Sequence, residues 1–173
     1  MFPEQILRLA DIVLAEARAK GLKIATAESC TGGLVAGALT AIAGSSDVFE
    51  RGFVTYSNDA KMETLGVVED TLDKFGAVSA PTAVAMAEGA IANSRAQVSV
   101  SVTGVAGPGG GTNKKPVGLV HFAAARRGGA TDFEHRNFGD IGRTEIRMAS
   151  VIVALELLRR KIAETPDATA PPR

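Results

Sequence analysis

Apolar positions recur with a helical period at the start of the chain. Ile6, Leu9, Ala10, Val13 and Ala17 share one face of residues 3–20, which predicts an amphipathic helix stopped at Gly21. The pattern then shortens. Residues 23–27 read as a strand, and the small-residue run 31–41 reads as a buried helix ended by Gly44. A second strand is predicted at 51–56. A short helix follows at 58–65 with Asn58 as its N-cap, and another at 70–75. Ser79 followed by Pro81 marks the start of a helix that reaches Asn93. Residues 97–102 predict a strand that runs directly into a glycine-rich segment. Residues 117–124 and 131–138 predict an antiparallel hairpin turning at 126–129. The last helix, 143–163, carries the stripe Ile146, Ala149, Val153 and Leu157, widened by Val151, Leu155, Leu158 and Ile162.

Strands alternate with helices for most of the chain, and the hairpin comes late. This order predicts an α/β fold, a three-layer α/β/α sandwich around a mixed central sheet. One domain over residues 1–164 is expected, with a disordered tail at 165–173. No internal repeat is evident. A chain of 173 residues, 46% hydrophobic, can fill one core.

Charge and composition narrow the function classes. Nineteen basic residues balance nineteen acidic ones, which gives no strong nucleic-acid signal. Tryptophan is absent and aromatics make up 5% of the chain, which weakens any base-stacking platform. A single cysteine, Cys30, leaves no internal disulfide, and the start of the chain lacks the pattern of a signal peptide, so a cytoplasmic location is expected. The best membrane candidate, 148–158, is too short and contains Glu156, so no membrane span is expected. No pair of cysteines or histidines at ligand spacing and no dense acidic cluster points to a metal, and no cofactor is expected.

Three polar clusters stand at the ends of predicted strands: TAESCTGG at 26–33, TYSNDAK at 55–61 and TGVAGPGGG at 103–111. In open α/β sheets, ligands sit beyond the carboxyl ends of strands, so the three can converge. Ser29 in the first is a candidate nucleophile. It also suits an N-cap, a task Thr31 can share. Gly32 and Gly33 leave room for a substrate, and N–H groups at the start of the following helix can hold an oxyanion. Cys30 is the rival nucleophile, against the plainer role of a small buried hydrophobe.

Lys61 in the second cluster becomes a general base if burial strips its proton, and is otherwise an ordinary solvated lysine. Tyr56 serves either strand packing or proton relay to Ser29 or a substrate. His121 and His135 both fall in the late hairpin, which disfavours a Ser-His-Asp triad. The third cluster matches neither a Walker A loop nor a dinucleotide fingerprint. It is either a flexible loop or a nest of N–H groups for an anion, with Lys114, Lys115, Arg143 and Arg147 as possible phosphate partners.

Taken with Leu65–Val67, Gly76–Ser79, Met86–Ala90, Lys115–Gly118 and Phe138–Asp140, these clusters resemble the CinA C-terminal domain family, whose enzymatic members are nicotinamide-nucleotide amidases. The resemblance covers nearly the whole chain in its stand-alone form. It departs from the family pattern at Asn113–Lys114 and around 139–143. It implies hydrolysis of nicotinamide mononucleotide to nicotinic acid mononucleotide and ammonia, in pyridine-nucleotide salvage. It also implies an α/β/α fold, no metal requirement and a homodimer. Carried over by position, Ser29 is the nucleophile, Lys61 the base and Tyr56 an assistant. Cys30, Thr31, Gly32, Gly33, Asn58, Thr103, Gly104, Gly107, Gly109, Gly110 and Arg143 bind the substrate. The competing expectation is a non-catalytic binding module connected with competence.

Overall fold

In the computed structural model, which describes residues 1–165, the elements follow the predicted order. They are α1 Glu4–Ala19, β1 Ile24–Glu28, α2 Leu34–Thr40, β2 Phe49–Val54, α3 Asn58–Leu65, α4 Glu69–Phe75, α5 Ala80–Ala92, β3 Val98–Gly104, β4 Leu119–Arg126, β5 Asp132–Asn137 and α6 Arg143–Ala163. Residues 166–173 of the expected tail lie outside the described residues.

The strands form one sheet in the order β2-β1-β3-β4-β5. The first three run parallel, and β4 and β5 add as the expected antiparallel hairpin. One face is covered by α1, α2 and α6, and the other by α3, α4 and α5. The mixed three-layer sandwich read from the sequence is therefore the observed fold.

Strand β3 explains how the layers are held. Its sequence alternates valine with hydroxyl residues, the pattern of a strand wet on one side. Both sides are nevertheless buried. Val98, Val100 and Val102 enter the core with α1 and α6. On the opposite face, Ser99 Oγ donates to the Ala87 carbonyl and Ser101 Oγ to the Ala83 carbonyl of α5, each at 2.6 Å. Thr103 Oγ1 donates to Ala77 O at 2.7 Å. Hydroxyls with a partner can be buried at little cost, and their small size lets α5 lie close to the sheet.

Close approach also sets the place of α3. A Cβ on Gly89 of α5 would overlap the backbone carbonyl of Leu65 at the end of α3. Alanine normally gains about 1 kcal/mol over glycine inside a helix. Here the overlap with backbone dominates, so Gly89→Ala is expected to destabilise the fold by about 1–3 kcal/mol. Thermal melts of the two proteins test this, and an unchanged or raised Tm would refute the close contact.

Several local expectations need correction. Ser57, not Asn58, caps α3: its backbone is extended and its Oγ accepts the Ala60 N–H at 3.1 Å. Asn58 is already the first helical residue. Helix α2 begins at Leu34 rather than Thr31, because Gly32 and Gly33 both have positive φ and hold residues 29–33 in a turn. Lys161 in α6 is buried, although its pattern places it on a helix otherwise read for its apolar stripe. Its Nζ is surrounded by Asp132 Oδ2 at 2.8 Å, Glu164 Oε1 at 3.0 Å and the Ala130 carbonyl at 2.8 Å. It ties the end of α6 to the hairpin, and its ammonium holds the Asp132 carboxyl below the usual carboxylate range.

Candidate active site

The three polar clusters leave the adjacent parallel strands β1, β2 and β3 at their carboxyl ends, so the sheet order brings them together. Hydrogen bonds extend the ladder beyond the strands. Ser29 N donates to Val102 O, and Thr55 N to Glu28 O, both at 2.8 Å. Each cluster therefore begins from a fixed backbone position.

Lys61 sits in the first turn of α3 and is 1% exposed. Its Nζ stands 2.9 Å from Ser29 Oγ and 2.6 Å from the Thr55 carbonyl. No carboxylate pairs with it among the described residues. Burial lowers its pKa, opposed only in part by Cys30. A buried amine without a counter-charge gives up its proton more readily than a solvated one. Once neutral, Nζ can accept the Ser29 hydroxyl proton across the same 2.9 Å.

Around this pair lies a cavity of about 310 Å³, lined by Ser29, Cys30, Tyr56, Asn58, Lys61, Thr103, Gly104, Gly107, Gly109, Gly110 and Arg143, together with Ala77, Val78, Val105 and Ala106. Its size lies at the low end of small-molecule sites. A larger cleft of about 570 Å³ separates the ends of α1 and α6. It holds the Glu16–Arg159 ion pair and no nucleophile, so the smaller cavity is the chemically equipped one.

Ala77, Val78, Val105 and Ala106 carry no polar side chain, and the sequence offered no signal for them beyond their neighbours. The Thr103–Ala77 hydrogen bond is what brings 77 and 78 to the cavity.

Three expected site residues, Thr31, Gly32 and Gly33, do not line the cavity. Thr31 is fully buried and its hydroxyl has no partner among the described residues. The two glycines serve the turn: their φ angles are +58° and +98°, values that side chains disfavour. The helix start is not an oxyanion site either. Val35 N donates to Glu28 Oε1 at 2.8 Å and Ala36 N to Glu28 Oε2 at 3.0 Å, so a buried carboxylate occupies it. Leu34 N and Gly32 N are bonded to Thr31 O and Ser29 O. Among the described residues, the N–H groups of Cys30 and Thr31 donate to no backbone carbonyl, and of the two residues only Cys30 lines the cavity.

Cys30 is buried, and desolvation pushes its thiol up to about 12. That is the setting of an inert cysteine.

The glycine-rich segment is fastened at several points. Val105 N donates to Leu119 O at 2.9 Å, and Gly118 N to Val105 O at 2.8 Å. Lys115 Nζ donates to the Phe75 carbonyl at 2.6 Å. Lys115 is thus committed to a helix end, and Lys114 is exposed outside the cavity lining. Arg143 donates from Nη1 to Gly107 O and from Nη2 to the Tyr56 hydroxyl, each at 2.7 Å. Among the described residues, no carboxylate pairs with Arg143, which leaves its charge at the cavity for a ligand. Tyr56 is 60% exposed and its hydroxyl meets Arg143 rather than Ser29. Arg147, one turn further along α6, donates to the Cys30 and Thr31 carbonyls at 3.1 and 3.2 Å instead of facing a phosphate site.

Among the described residues, no group of three or more His, Cys, Asp or Glu is placed to hold a metal ion, and no helix is long and apolar enough to cross a membrane.

Comparison with known proteins identifies the family. The chain is 47% identical over 159 residues to the Escherichia coli K12 nicotinamide-nucleotide amidohydrolase PncC, covering 91% of this chain and 95% of that protein. It is 48% identical over 156 residues to a putative competence-damage inducible protein of Caldicellulosiruptor bescii, but spans only 38% of that relative's length. The crystal structure of competence/damage inducible protein CihA from Agrobacterium tumefaciens superposes with a TM-score of 0.92 at 55% identity, covering 95% of this chain and 99% of the other. The CinA C-terminal domain matches residues 6–162, and the chain belongs to that family.

Proposed function

We propose that this protein hydrolyses the carboxamide of nicotinamide mononucleotide to nicotinic acid mononucleotide and ammonia, in pyridine-nucleotide salvage, by a serine-lysine mechanism. The observation that carries the reading is the buried, carboxylate-free Lys61 held 2.9 Å from Ser29 Oγ at the wall of the cavity. The name of the Escherichia coli relative supplies the substrate.

Neutral Lys61 takes the Ser29 proton as Oγ attacks the carboxamide carbon. The carbonyl oxygen becomes an oxyanion held by the backbone N–H of Cys30, a residue of the cavity wall. The carbon–nitrogen bond breaks as Lys61 returns its proton to nitrogen, and ammonia leaves. Water then attacks the acyl-serine, giving one proton to Lys61, and the acid departs as Ser29 recovers its own. The positive pyridinium ring withdraws electrons from the amide.

Arg143 and the glycine-rich segment take the phosphate, and Asn58 and Thr103 border the nucleotide. Tyr56 holds Arg143 through its hydroxyl and presents its ring to the pyridinium. Binding energy from the remote phosphate fixes the amide against Ser29.

Ammonia release with EDTA present tests the reading. Nicotinamide mononucleotide is expected to turn over unchanged by EDTA. Nicotinamide riboside, which lacks the phosphate, is expected to show kcat/KM lower by about 100-fold or more. Equal kcat/KM for the two would remove the phosphate site. No turnover of either would favour the non-catalytic binding module suggested by the competence-damage names of other relatives.

A further inference from the structure

Both histidines of the chain lie in the late hairpin, outside the cavity lining. We propose that His121 and His135 form a two-imidazole site for a divalent transition-metal ion of the copper, nickel or zinc type, with water filling the remaining positions. The site is separate from the amidase chemistry and does not rest on that reading.

Strand register, not sequence spacing, brings the two together. His121 of β4 stands directly opposite His135 of β5. Phe138 N donates to Gly118 O at 2.9 Å, which marks a hydrogen-bonded position just beyond the end of this ladder. Bonded and non-bonded pairs alternate from there, and His121–His135 falls among the non-bonded ones, where opposite side chains stand closest. The two ring centres are 5.5 Å apart, and the planes are tilted by 39°. Two imidazoles on one tetrahedral ion place their ring centres about 5 Å apart, given metal–nitrogen bonds of about 2.0–2.1 Å. The pair therefore stands close to chelating distance before an ion binds. His135 is exposed, and rotation about its χ2 presents either ring nitrogen.

The surroundings select the kind of ion. His121 shares its face of β4 with Ala123, which packs against α5. The carboxylates of β5 lie on the opposite face, where Asp132 meets Lys161 and Glu134 meets Arg160. The pair thus offers nitrogen without carboxylate. That donor set suits copper, nickel and zinc, and not magnesium or calcium. Lys115 is near enough to act on His121 and repels any cation there. The affinity is accordingly that of an open two-ligand site, below that of a closed site with four protein ligands. In the sheet, β3 separates His121 from the strand that leads to Ser29, a gap of two strand spacings or roughly 10 Å. An ion here would clamp the edge strand β5 to β4 without entering the cavity.

Calorimetric titration of the untagged, metal-stripped chain with Cu²⁺, Zn²⁺ and Mg²⁺ at pH 7 tests this. One Cu²⁺ per chain is expected, with Zn²⁺ weaker and Mg²⁺ without measurable binding. His121→Gln and His135→Gln are each expected to weaken Cu²⁺ binding by about 10-fold or more, since changes even in the second shell of a metal site cost about 10- to 100-fold. His135 is exposed on an edge strand, so His135→Gln tests the site even if replacing the half-buried His121 disturbs the hairpin. Saturating Zn²⁺ should also raise the Tm of the parent and not that of His135→Gln.

Equal Cu²⁺ affinity in the parent and His135→Gln would overturn the proposal by placing the ion elsewhere. So would a loss confined to one of two folded variants, because a single histidine would then be the ligand. Mg²⁺ binding as tight as Cu²⁺ binding would overturn the imidazole donor set. The calorimetry needs no turnover, so its result stands whatever substrate the cavity takes.

Discussion

Ser29→Ala is expected to lower kcat for ammonia release by about 10⁴- to 10⁶-fold, the order lost when a serine hydrolase loses its nucleophile. The substitution removes one oxygen that is half-buried beside Lys61, so the fold and Tm should change little. Residual turnover of this size would come from the oxyanion donors and from binding, neither of which needs Ser29.

The neighbouring thiol makes the test sharp. Cys30 also lines the cavity and is the natural substitute nucleophile. Its pKa of about 12 leaves about one thiolate in 10⁵ at pH 7. Cys30→Ala should therefore retain nearly full activity, while Ser29→Ala does not. Activity retained in Ser29→Ala and lost in Cys30→Ala would reverse the assignment. Mass spectrometry of the protein during turnover gives an independent check, because an acyl adduct should map to the peptide containing residue 29 in the parent only.

The site was legible where chemistry and topology coincide in short stretches of sequence. Each cluster joins a strand end to polar or glycine-rich residues, and adjacent parallel strands then bring them together without long-range information. Ser79 with Pro81 gave the start of α5 because that cap is a local event, and Ser79 Oγ does accept the Thr82 N–H.

The supports were less visible because they act across sequence distance or against local pattern. Arg147 touches a turn 117 and 116 residues earlier. Glu28 caps α2 from the last position of a strand, seven and eight residues before its partners, which no capping motif describes. Ser57 and Asn58 are both good caps, and only the extended backbone at Ser57 decides between them. The hydroxyls of β3 look solvent-facing until α5 supplies carbonyls for them. Glycines 32 and 33 were visible as important, but the space they leave belongs to a turn rather than to a substrate.

Lys61→Met should separate activity from stability. With the base removed, kcat is expected to fall by about 10³- to 10⁶-fold. In the parent, only neutral Lys61 accepts the Ser29 proton. Activity should therefore rise with pH through the lowered Lys61 pKa and then level off. The residual activity of Lys61→Met should lack that rise. If it kept the same acidic limb, another group would be the base.

Stability should respond in the opposite sense to an ordinary paired lysine. The folded-state pKa of Lys61 lies below its unfolded value, so between the two the unfolded chain binds more protons. Stability from this group therefore increases as pH rises across that window, up to the unfolded lysine value of about 10.4. Below the folded pKa, the buried ammonium imposes its full cost. Methionine carries no such cost but leaves the Thr55 carbonyl without the Lys61 hydrogen bond at every pH. The expected result of chemical denaturation at pH 7 and pH 9.5 is that the parent gains stability relative to Lys61→Met at the higher pH. A parallel pH dependence in the two proteins would mean that Lys61 titrates as a solvated lysine, and the proposed base would lose its physical basis.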